Sequence, residues 1–212
     1  EDSKKNITIN ADEILYIKNQ ELIIAEGNVK LQDIDKDTVI NAGKILYNKS
    51  TEEIIASIKV ELIDNKKDII IKAKEITYSK KTNILTANGK IKGRIYSKYN
   101  FESENIIFHE NEMRLSSPNK TIIVDNDFTL YTLSSFNLEI ENEFLKGTDV
   151  TITQNSQVPY GQSNHLYFES GFFDLKNKNF KTSKTKINLK KNIFDKSKND
   201  PRLYGASSSQ IN

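Results

Sequence analysis

The chain has 212 residues, the length of one large domain or two small ones. Its 31 basic and 29 acidic residues leave a net charge of +2, which argues against a dedicated nucleic-acid binder, because such proteins show an excess of basic residues. Cysteine is absent, which excludes disulfides, thiolate metal sites and cysteine nucleophiles. No apolar run approaches the roughly 18–20 residues of a membrane helix, and no signal peptide is present. The chain is then either cytosolic or, as we expect, already processed or cut from a longer protein.

In chain order, the first predicted elements are two strands separated by a polar break. Ile14 and Tyr16 share one face of the first strand, because side chains alternate with period two. The residues Lys18-Asn19-Gln20 are turn-formers, and an alternating apolar pattern resumes at Ile23. Thr, Ile, Tyr, Phe and Asn outnumber strong helix formers, and no apolar pattern of helical spacing is sustained. We therefore predict an all-β fold.

The same two-strand pattern recurs along the chain, with spacings of 31, 31, 30, 30 and 30 residues. Each copy has an aromatic residue or Leu, and a second apolar residue seven positions later. The first members are Tyr16, Tyr47, Tyr78, Phe108, Leu138 and Phe168, and the second members are Ile23, Ile54, Leu85, Leu115, Leu145 and Leu175. Internal repeats of this length indicate stacked supersecondary units that bury a shared face. We expect about six repeats of two strands each.

Small residues mark a predicted bend within the second strand of the repeat. Gly27 and Gly89 occupy matched positions in copies one and three, each two residues after an Ala. Copy two has Ile58 instead, so we expect the bend to be a tendency of the repeat rather than a fixed requirement. Copy four has Asn119, and Asn is the next best residue at positive φ.

The residue types that carry chemistry form no catalytic or metal-binding constellation. Asp33, Asp35 and Asp37 resemble the start of a calcium loop, but Thr38 and Lys44 stand where an EF-hand needs Gly and Glu. The alternative interpretation is an acidic turn after a strand, without a metal ion. The two histidines, His109 and His165, are 56 residues apart in sequence and are interpreted as surface or strand-end residues. We predict no enzyme activity, no metal and no cofactor.

A lysine-rich stretch runs from Lys176 to Lys198, with nine lysines and a single acid, Asp195. Two interpretations remain open for it. The first is a solvated final repeat and tail. The second is attraction to a phosphorylated lipid or an anionic membrane surface, where each lysine contributes on the order of 1 kcal/mol.

The first copy also resembles a known family. Ala11-Asp12-Glu13-Ile14 with Tyr16, followed by Ile23 and Ala25-Glu26-Gly27-Asn28-Val29, is similar to the OstA-like repeat of lipopolysaccharide-transport proteins. The resemblance is strong over about 11–125 and continues in register to about 190. It implies an elongated, open β-jelly roll of two facing twisted sheets, acting as a lipid conduit on the periplasmic side of the outer membrane. It implies a repeat domain over 1–190 and a basic tail over 191–212 that leads toward a membrane barrel outside this sequence; residues 199–205 look like the segment before that barrel.

The resemblance assigns sites and partners to this chain. The expected ligand is lipopolysaccharide, with its lipid A acyl chains in an apolar groove. The expected protein partners are a periplasmic bridge protein of the LptA type, bound by strand addition at Ile7, Thr8 and Ile9, and an outer-membrane lipoprotein of the LptE type, bound through the barrel. The predicted groove residues are Ile14, Tyr16, Ile23, Val29, Leu31, Ile45, Tyr47, Ile54, Val60, Leu62, Ile76, Tyr78, Leu85, Ile91, Ile106, Phe108, Leu115, Phe136, Leu138, Leu145, Leu166, Phe168 and Leu175.

Two other classes compete with the conduit. A structural β-solenoid, such as an adhesin stalk, would use the same columns as a dry core, since any two-sheet β fold needs inward apolar columns. A polysaccharide-acting β-helix enzyme would need an acidic cluster on one outer face, and the sequence has none at the repeat spacing. The turns vary in length and content, which favours two facing sheets over a regular solenoid.

Overall fold

A computed structural model of the chain describes residues 7–159, 161–191 and 201–211. These residues form sixteen antiparallel strands and two 3₁₀ turns, Lys18–Gln20 and Glu110–Glu112, and they contain no α-helix. The predicted all-β fold is confirmed. The strands are β1 Ile7–Asn10, β2 Glu13–Ile17, β3 Leu22–Asp33, β4 Thr38–Asn48, β5 Glu53–Asp64, β6 Ile69–Ser79, β7 Ile84–Ile95, β8 Tyr99–His109, β9 Arg114–Ser117, β10 Thr121–Asp125, β11 Leu130–Leu133, β12 Ser135–Glu139, β13 Phe144–Thr153, β14 His165–Asp174, β15 Asn179–Asn188 and β16 Arg202–Gln210.

The chain divides into two compact units, Glu1–Asn111 and Glu112–Asn212. In the first unit, β3 to β8 pair in sequence order, and β1 and β2 both pair with β3 as the outermost strands. Each neighbouring pair is a hairpin, so each repeat packs mainly against the next one, as expected of a repeat protein.

A β-bulge interrupts each long strand pair of the first unit near its middle. The register shifts lie between Glu26 and Val29, Asn41 and Lys44, Ser57 and Val60, Lys72 and Glu75, and Asn88 and Ile91. A bulge bends a strand and increases its twist. The bulges therefore divide every long strand into two halves, and together they divide the first unit into two half-sheets.

The two half-sheets of the first unit face each other across one apolar core. Leu31, Ile40 and Ile71 come from one half, Leu85 and Phe108 come from the other, and all five line the same internal cavity. This arrangement is the pair of facing sheets that the predicted jelly roll requires.

The second unit has the same two-half organisation with interrupted strands. One half begins with β9, β12 and β13, and the other half begins with β10, β11 and β13. The full-length strands β14, β15 and β16 then follow in order. Phe168, from one half, contacts Phe173 and Phe180, from the other, with ring centroids 5.9 and 5.6 Å apart. The interior of this unit is therefore also formed between two facing halves.

The sixth copy of the repeat lies at a different position from the one that the spacing predicts. Phe168 pairs with Val150 in the other half of the unit, and Leu175 lies in the turn after β14. Phe173 and Phe180, seven residues apart, instead form the cross-strand pair that corresponds to Leu138 and Leu145. The connection between β13 and β14 lengthens this copy by five residues, so a constant spacing of 30 points to the wrong pair.

The structure also corrects two expectations about the bend. Ile58 adopts the left-handed conformation, with φ of 68°, and the bulge in copy two is kept. The bend is thus present in all three of the first copies, although only two of them have glycine. Asn119 does not have a positive φ; in copy four the strand simply stops at Ser117 and resumes at Thr121.

The last strand lies within the predicted tail. β16 pairs with β15 and is exposed along most of its length. Within the lysine-rich stretch, Lys184 forms an ion pair with Glu169 at 2.6 Å, and Lys186 lies over the ring of Tyr167. The remainder of the predicted membrane-attracted segment and the start of the tail, 192–200, lie outside the described residues.

Candidate functional site

The interior of the first unit is built from cross-strand rows with a regular composition. One row alternates large and small side chains, because each Ile pairs with an Ala on the neighbouring strand. The row consists of Ile14, Ala25, Ile45, Ala56, Ile76, Ala87 and Ile106. A second row, nearer the turns, consists of the repeat members Tyr16, Ile23, Tyr47, Ile54, Tyr78, Leu85 and Phe108.

Most of the predicted groove residues are buried, each in the core of its own unit. Exceptions lie at the outermost strand β2, where Ile14 is 54% and Tyr16 is 49% exposed because no further strand covers them. Ile23, Tyr78 and Leu175 are half-buried. The remaining predicted residues are buried, namely Val29, Leu31, Ile45, Tyr47, Ile54, Val60, Leu62, Leu85, Ile76, Ile91, Ile106, Phe108, Leu115, Phe136, Leu138, Leu145, Leu166 and Phe168.

The first unit encloses a cavity of about 50 Å³ between its halves. Its walls are apolar, and its polar residues all lie at one side, where the turns of the two halves meet. A dry apolar cavity of about 150 Å³ accommodates a molecule of benzene. The cavity as it stands is therefore too small for an acyl chain, and such a ligand requires the two halves to move apart.

A cluster of charged side chains closes the mouth of this cavity; we call it the clasp. The carboxylate of Glu110, on one half, accepts hydrogen bonds from the Nζ of Lys36 at 2.7 Å and the Nζ of Lys67 at 2.9 Å, both on turns of the other half. The hydroxyl of Tyr78 donates to the same carboxylate at 2.7 Å. A parallel ion pair joins Lys80 to Asp33 at 3.3 Å.

The clasp is shielded from water, unlike the ion pairs on the outer face of the first unit. The side chain of Glu110 is 15% exposed, whereas Lys92 and Glu102, which pair on the outer face, are 71% and 58% exposed. Burial alone would raise the pKa of Glu110, but hydrogen bonds from Lys36, Lys67 and Tyr78 outweigh it and lower the pKa to about 2. Burial and the adjacent Glu110 carboxylate raise the pKa of Tyr78. At neutral pH Glu110 is therefore ionised, and Tyr78 keeps the proton that it donates to this carboxylate.

Two aspartates hold the clasp lysines in place. Asp33 accepts a hydrogen bond from the backbone N–H of Lys36 at 3.2 Å, and Asp64 accepts one from the backbone N–H of Lys67 at 2.9 Å. Asp64 also pairs with the Nζ of Lys67 at 2.7 Å. Such Asx-type bonds tighten a turn and orient the side chain that follows. The expected acidic turn at Asp33 thus contributes to the clasp.

Sequence reasoning missed the clasp, although the repeat register contains a signal for it. Lys18, Lys49 and Lys80 stand two residues after the aromatic member in copies one to three, and Glu110 stands at that position in copy four. Lys36 and Lys67 are also one repeat apart, each three residues after an aspartate. A reversal of charge at one register position would have singled out Glu110.

The mouth of the second unit has an ion pair that is more exposed than the clasp. Its cavity has a volume of about 240 Å³ and is lined by Tyr131, Phe173 and Phe180 among others. The ion pair joins the Nζ of Lys178 to Asp127 at 2.8 Å across the rim, and both side chains are about two-thirds exposed, at 68% and 65%. An exposed pair of this kind contributes only about 0–1 kcal/mol. Burial, with Asp125 and Asp127 nearby, raises the pKa of Tyr131.

The histidines occupy the expected strand ends. His109 ends β8, and His165 begins β14 and lies 3.1 Å from the hydroxyls of both Thr153 and Ser163. Burial lowers the pKa of His165. Within 7–159, 161–191 and 201–211, no three His, Cys, Asp or Glu side chains are arranged to hold a metal ion. In the same residues, no helix has the length and apolar character needed to span a bilayer.

The solved structures that are similar to this chain include one periplasmic protein. It is LptH of Pseudomonas aeruginosa, described as the LptA homologous periplasmic component of the conserved lipopolysaccharide transport device. The match covers 51% of this chain and 78% of LptH, with 16% sequence identity and a TM-score of 0.45. The sequence matches no protein-family model and no curated protein.

Proposed function

We propose that this chain is a lipid conduit that shields the acyl chains of lipopolysaccharide on their way to the outer membrane. The supporting observation is the pair of facing apolar half-sheets in the first unit, whose rows run unbroken from β2 to β8. Exposing an acyl chain to water costs roughly 0.8 kcal/mol per CH₂, so a continuous apolar interior lowers the cost of crossing an aqueous space. No chemical step is needed for such transport.

The sequence resemblance refines this proposal. The OstA-like repeats, followed by Asn199-Asp200-Pro201-Arg202-Leu203-Tyr204-Gly205, favour the periplasmic N-terminal domain of an LptD, the outer-membrane lipopolysaccharide-assembly protein. A soluble bridge protein of the LptA type is the alternative within the family. In the LptD interpretation, an LptE-type lipoprotein binds through the barrel, and the chain acts on the periplasmic side of the outer membrane.

The outermost strands of the first unit supply a surface for the bridge protein. Ile7, Thr8 and Ile9 lie in β1, which pairs with β3 along one edge, and no described strand pairs with its other edge. Unpaired backbone groups at a sheet edge can accept a strand from another chain. We expect photocrosslinkers at 7–10 to capture an LptA-type protein in cells, and adducts found only elsewhere on the chain would overturn this assignment.

The competing function is a structural β-solenoid with a dry core, and the small cavity of the first unit favours it. The decisive experiment is photocrosslinking of lipopolysaccharide in living cells, with probes at Tyr47, Tyr78 and Phe108 inside the first unit. Lys44 and Lys72, which form ion pairs on the outer face, are matched control positions. Lipid adducts at the interior positions alone support the conduit. A folded protein with no adduct at any interior position is a dry structural domain.

A further inference from the structure

The clasp gathers three donors around a single carboxylate. Lys36 binds Oε2 of Glu110 at 2.7 Å, Lys67 binds Oε1 at 2.9 Å, and the hydroxyl of Tyr78 binds Oε2 at 2.7 Å. The two ammonium groups thus lie on the two separate oxygens of one anion. Phosphate groups present oxygens of the same kind and carry more negative charge, about −1.5 to −2 at neutral pH for a phosphomonoester.

Two of these donors, Lys36 and Tyr78, line the mouth of an apolar cavity together with Glu110, and Lys67 reaches the same carboxylate from the neighbouring turn. The same cavity is lined by Lys36, Tyr78 and Glu110 at its mouth and by Leu31, Ile71 and other apolar residues in its interior. A polar, cationic rim above an apolar interior matches the two parts of an amphiphile, namely a charged head group and a hydrocarbon chain.

Opening the mouth has an electrostatic cost that depends on what enters. An acyl chain that separates the halves must also separate Glu110 from Lys36 and Lys67, because these residues lie on opposite halves. Removing one partner of a buried ion pair strongly destabilises the folded protein, because the other charge is left without compensation. An amphiphile with an anionic head group replaces the lost carboxylate, whereas an uncharged amphiphile leaves Lys36 without its carboxylate partner and Lys67 with Asp64 alone.

Glu110 is suited to such a replacement. It begins the 3₁₀ turn Glu110–Glu112, directly after the end of β8, so it can move without breaking the strand. Asp33 and Asp64 stay with the lysines, since they belong to the same half and hold the backbone of the two lysine turns. Lys80, on the half that carries Glu110, pairs with Asp33 and provides a further cation beside the mouth.

We propose that Lys36 and Lys67 form a binding site for the anionic head group of an amphiphile whose acyl chain enters the first unit, and that Glu110 occupies this site in the free protein. The inference rests on the proposed conduit function and adds to it a head-group class and a resting state. Glu110 acts as an internal anion that the ligand displaces.

The test is calorimetric titration of the full chain with dodecyl phosphate, with uncharged dodecyl maltoside and with inorganic phosphate, the amphiphiles being kept below micelle-forming concentrations. We expect dodecyl phosphate to bind at least about tenfold more tightly than the maltoside, since hydrogen bonds between charged groups are stronger than those between neutral groups. Replacing both lysines, Lys36→Met with Lys67→Met, should reduce this preference to about twofold or less, while binding of the maltoside remains.

Two further variants keep the test decisive if the double lysine variant folds poorly. Glu110→Gln removes the internal anion and should raise the affinity for dodecyl phosphate about three- to tenfold. Glu102→Gln removes the partner of Lys92 on the outer face and should leave every affinity unchanged. Circular dichroism establishes that each variant is folded.

Three results would contradict different parts of the proposal. Equal binding of both amphiphiles, unaffected in the lysine and Glu110 variants, would overturn the head-group site but leave the conduit standing. Inorganic phosphate binding as tightly as dodecyl phosphate would show an anion site unrelated to acyl chains. Failure of both amphiphiles to bind would overturn the conduit itself, and the head-group site with it.

Discussion

Ile58 holds a backbone conformation that suits glycine. Its φ is 68°, and it stands at the position of Gly27 and Gly89, whose φ values are 74° and 78°. A residue with a Cβ in this conformation costs roughly 1–2 kcal/mol, and a β-branched residue is especially rare there. Its side chain is 57% exposed, so little burial compensates.

We therefore expect Ile58→Gly to stabilise the protein by about 0.5–1 kcal/mol, the relief of strain less the greater freedom of glycine in the unfolded chain. Urea denaturation measures the change. Ile55→Gly, three residues earlier at an ordinary strand position, is the control and should destabilise. Equal losses in both variants would show that Ile58 is not strained.

The lowered pKa of Glu110 predicts how the free energy of unfolding depends on pH. Its pKa falls from 4.5 to about 2 on folding, so its contribution to the free energy of unfolding is present above pH 4.5 and is lost as the pH falls toward 2. Glu110→Gln should destabilise by about 1–3 kcal/mol at pH 7, and the difference from the native chain should shrink to near zero at pH 2. The charged and titratable groups facing Glu110 are Lys36, Lys67, Tyr78, Asp33, Asp64 and Lys80.

Urea unfolding at pH 7, 5 and 3 checks this expectation, with Glu102→Gln as the exposed control. A difference that stays constant across the three pH values would show that Glu110 contributes through its shape and not through its charge.

At the residue scale, the sequence predicts burial better than polar contacts. Alternation places Val29, Ile45 and Ile106 in the core correctly, because burial depends on which face a residue occupies. The clasp joins Lys36 to Glu110, which are 74 positions apart. Such a contact depends on how the half-sheets fold over each other, which alternation along a strand does not specify.

At the scale of elements, Phe173 and Leu175 distinguish two possible positions of the last hairpin. Phe173 is 2% exposed and contacts Phe168 and Phe180, with ring centroids 5.9 and 6.1 Å apart, whereas Leu175 lies half-buried in a turn. Phe173→Ala should destabilise by about 3–5 kcal/mol and Leu175→Ala by about 1 kcal/mol. Urea denaturation distinguishes them, and a larger loss from Leu175→Ala would favour the register with constant spacing.

The error in the sixth copy has a simple cause. The hairpins at Leu138 and at Phe173 are separated by the turn 154–164, which is longer than the equivalent turns of the first unit. Turns at the surface tolerate insertions, because the entropic cost grows only slowly with loop length. A fixed period therefore predicts strands well where turns are constant and fails after the first long one.

At the scale of the whole molecule, open strand edges favour association. Ile14 and Leu15 of the outer strand β2 are 54% and 57% exposed, and a hydrophobic edge strand invites pairing with another chain. Ile14→Lys should reduce self-association in sedimentation velocity at rising protein concentration. Ile34→Lys is the matched control, since Ile34 is 55% exposed but lies in a turn. An equal reduction in both variants would indicate that general hydrophobicity, rather than the edge, causes association.

Of the global features, the fold class can be predicted from the sequence, and the division into two units cannot. The all-β class follows from alternation and from the repeat of about 30 residues. The two compact units do not follow, because the repeat crosses the division at Asn111 without a linker of Gly, Ser or Pro. Packing between neighbouring copies determines the units, and the repeat motif is similar on both sides.

The alternation of isoleucine and alanine in the first unit has a consequence for movement through it. Ala25, Ala56 and Ala87 lie on every second strand, and strands are about 4.8 Å apart, so the same surface recurs roughly every 9–10 Å. For the proposed conduit, a hydrocarbon chain moving across the strands meets the same alternation of isoleucine and alanine at each step, so this row by itself gives it no preferred resting place. A uniform row of this kind allows the lipid to diffuse in both directions. Net transport must therefore come from loading of lipid at one end and its removal at the other.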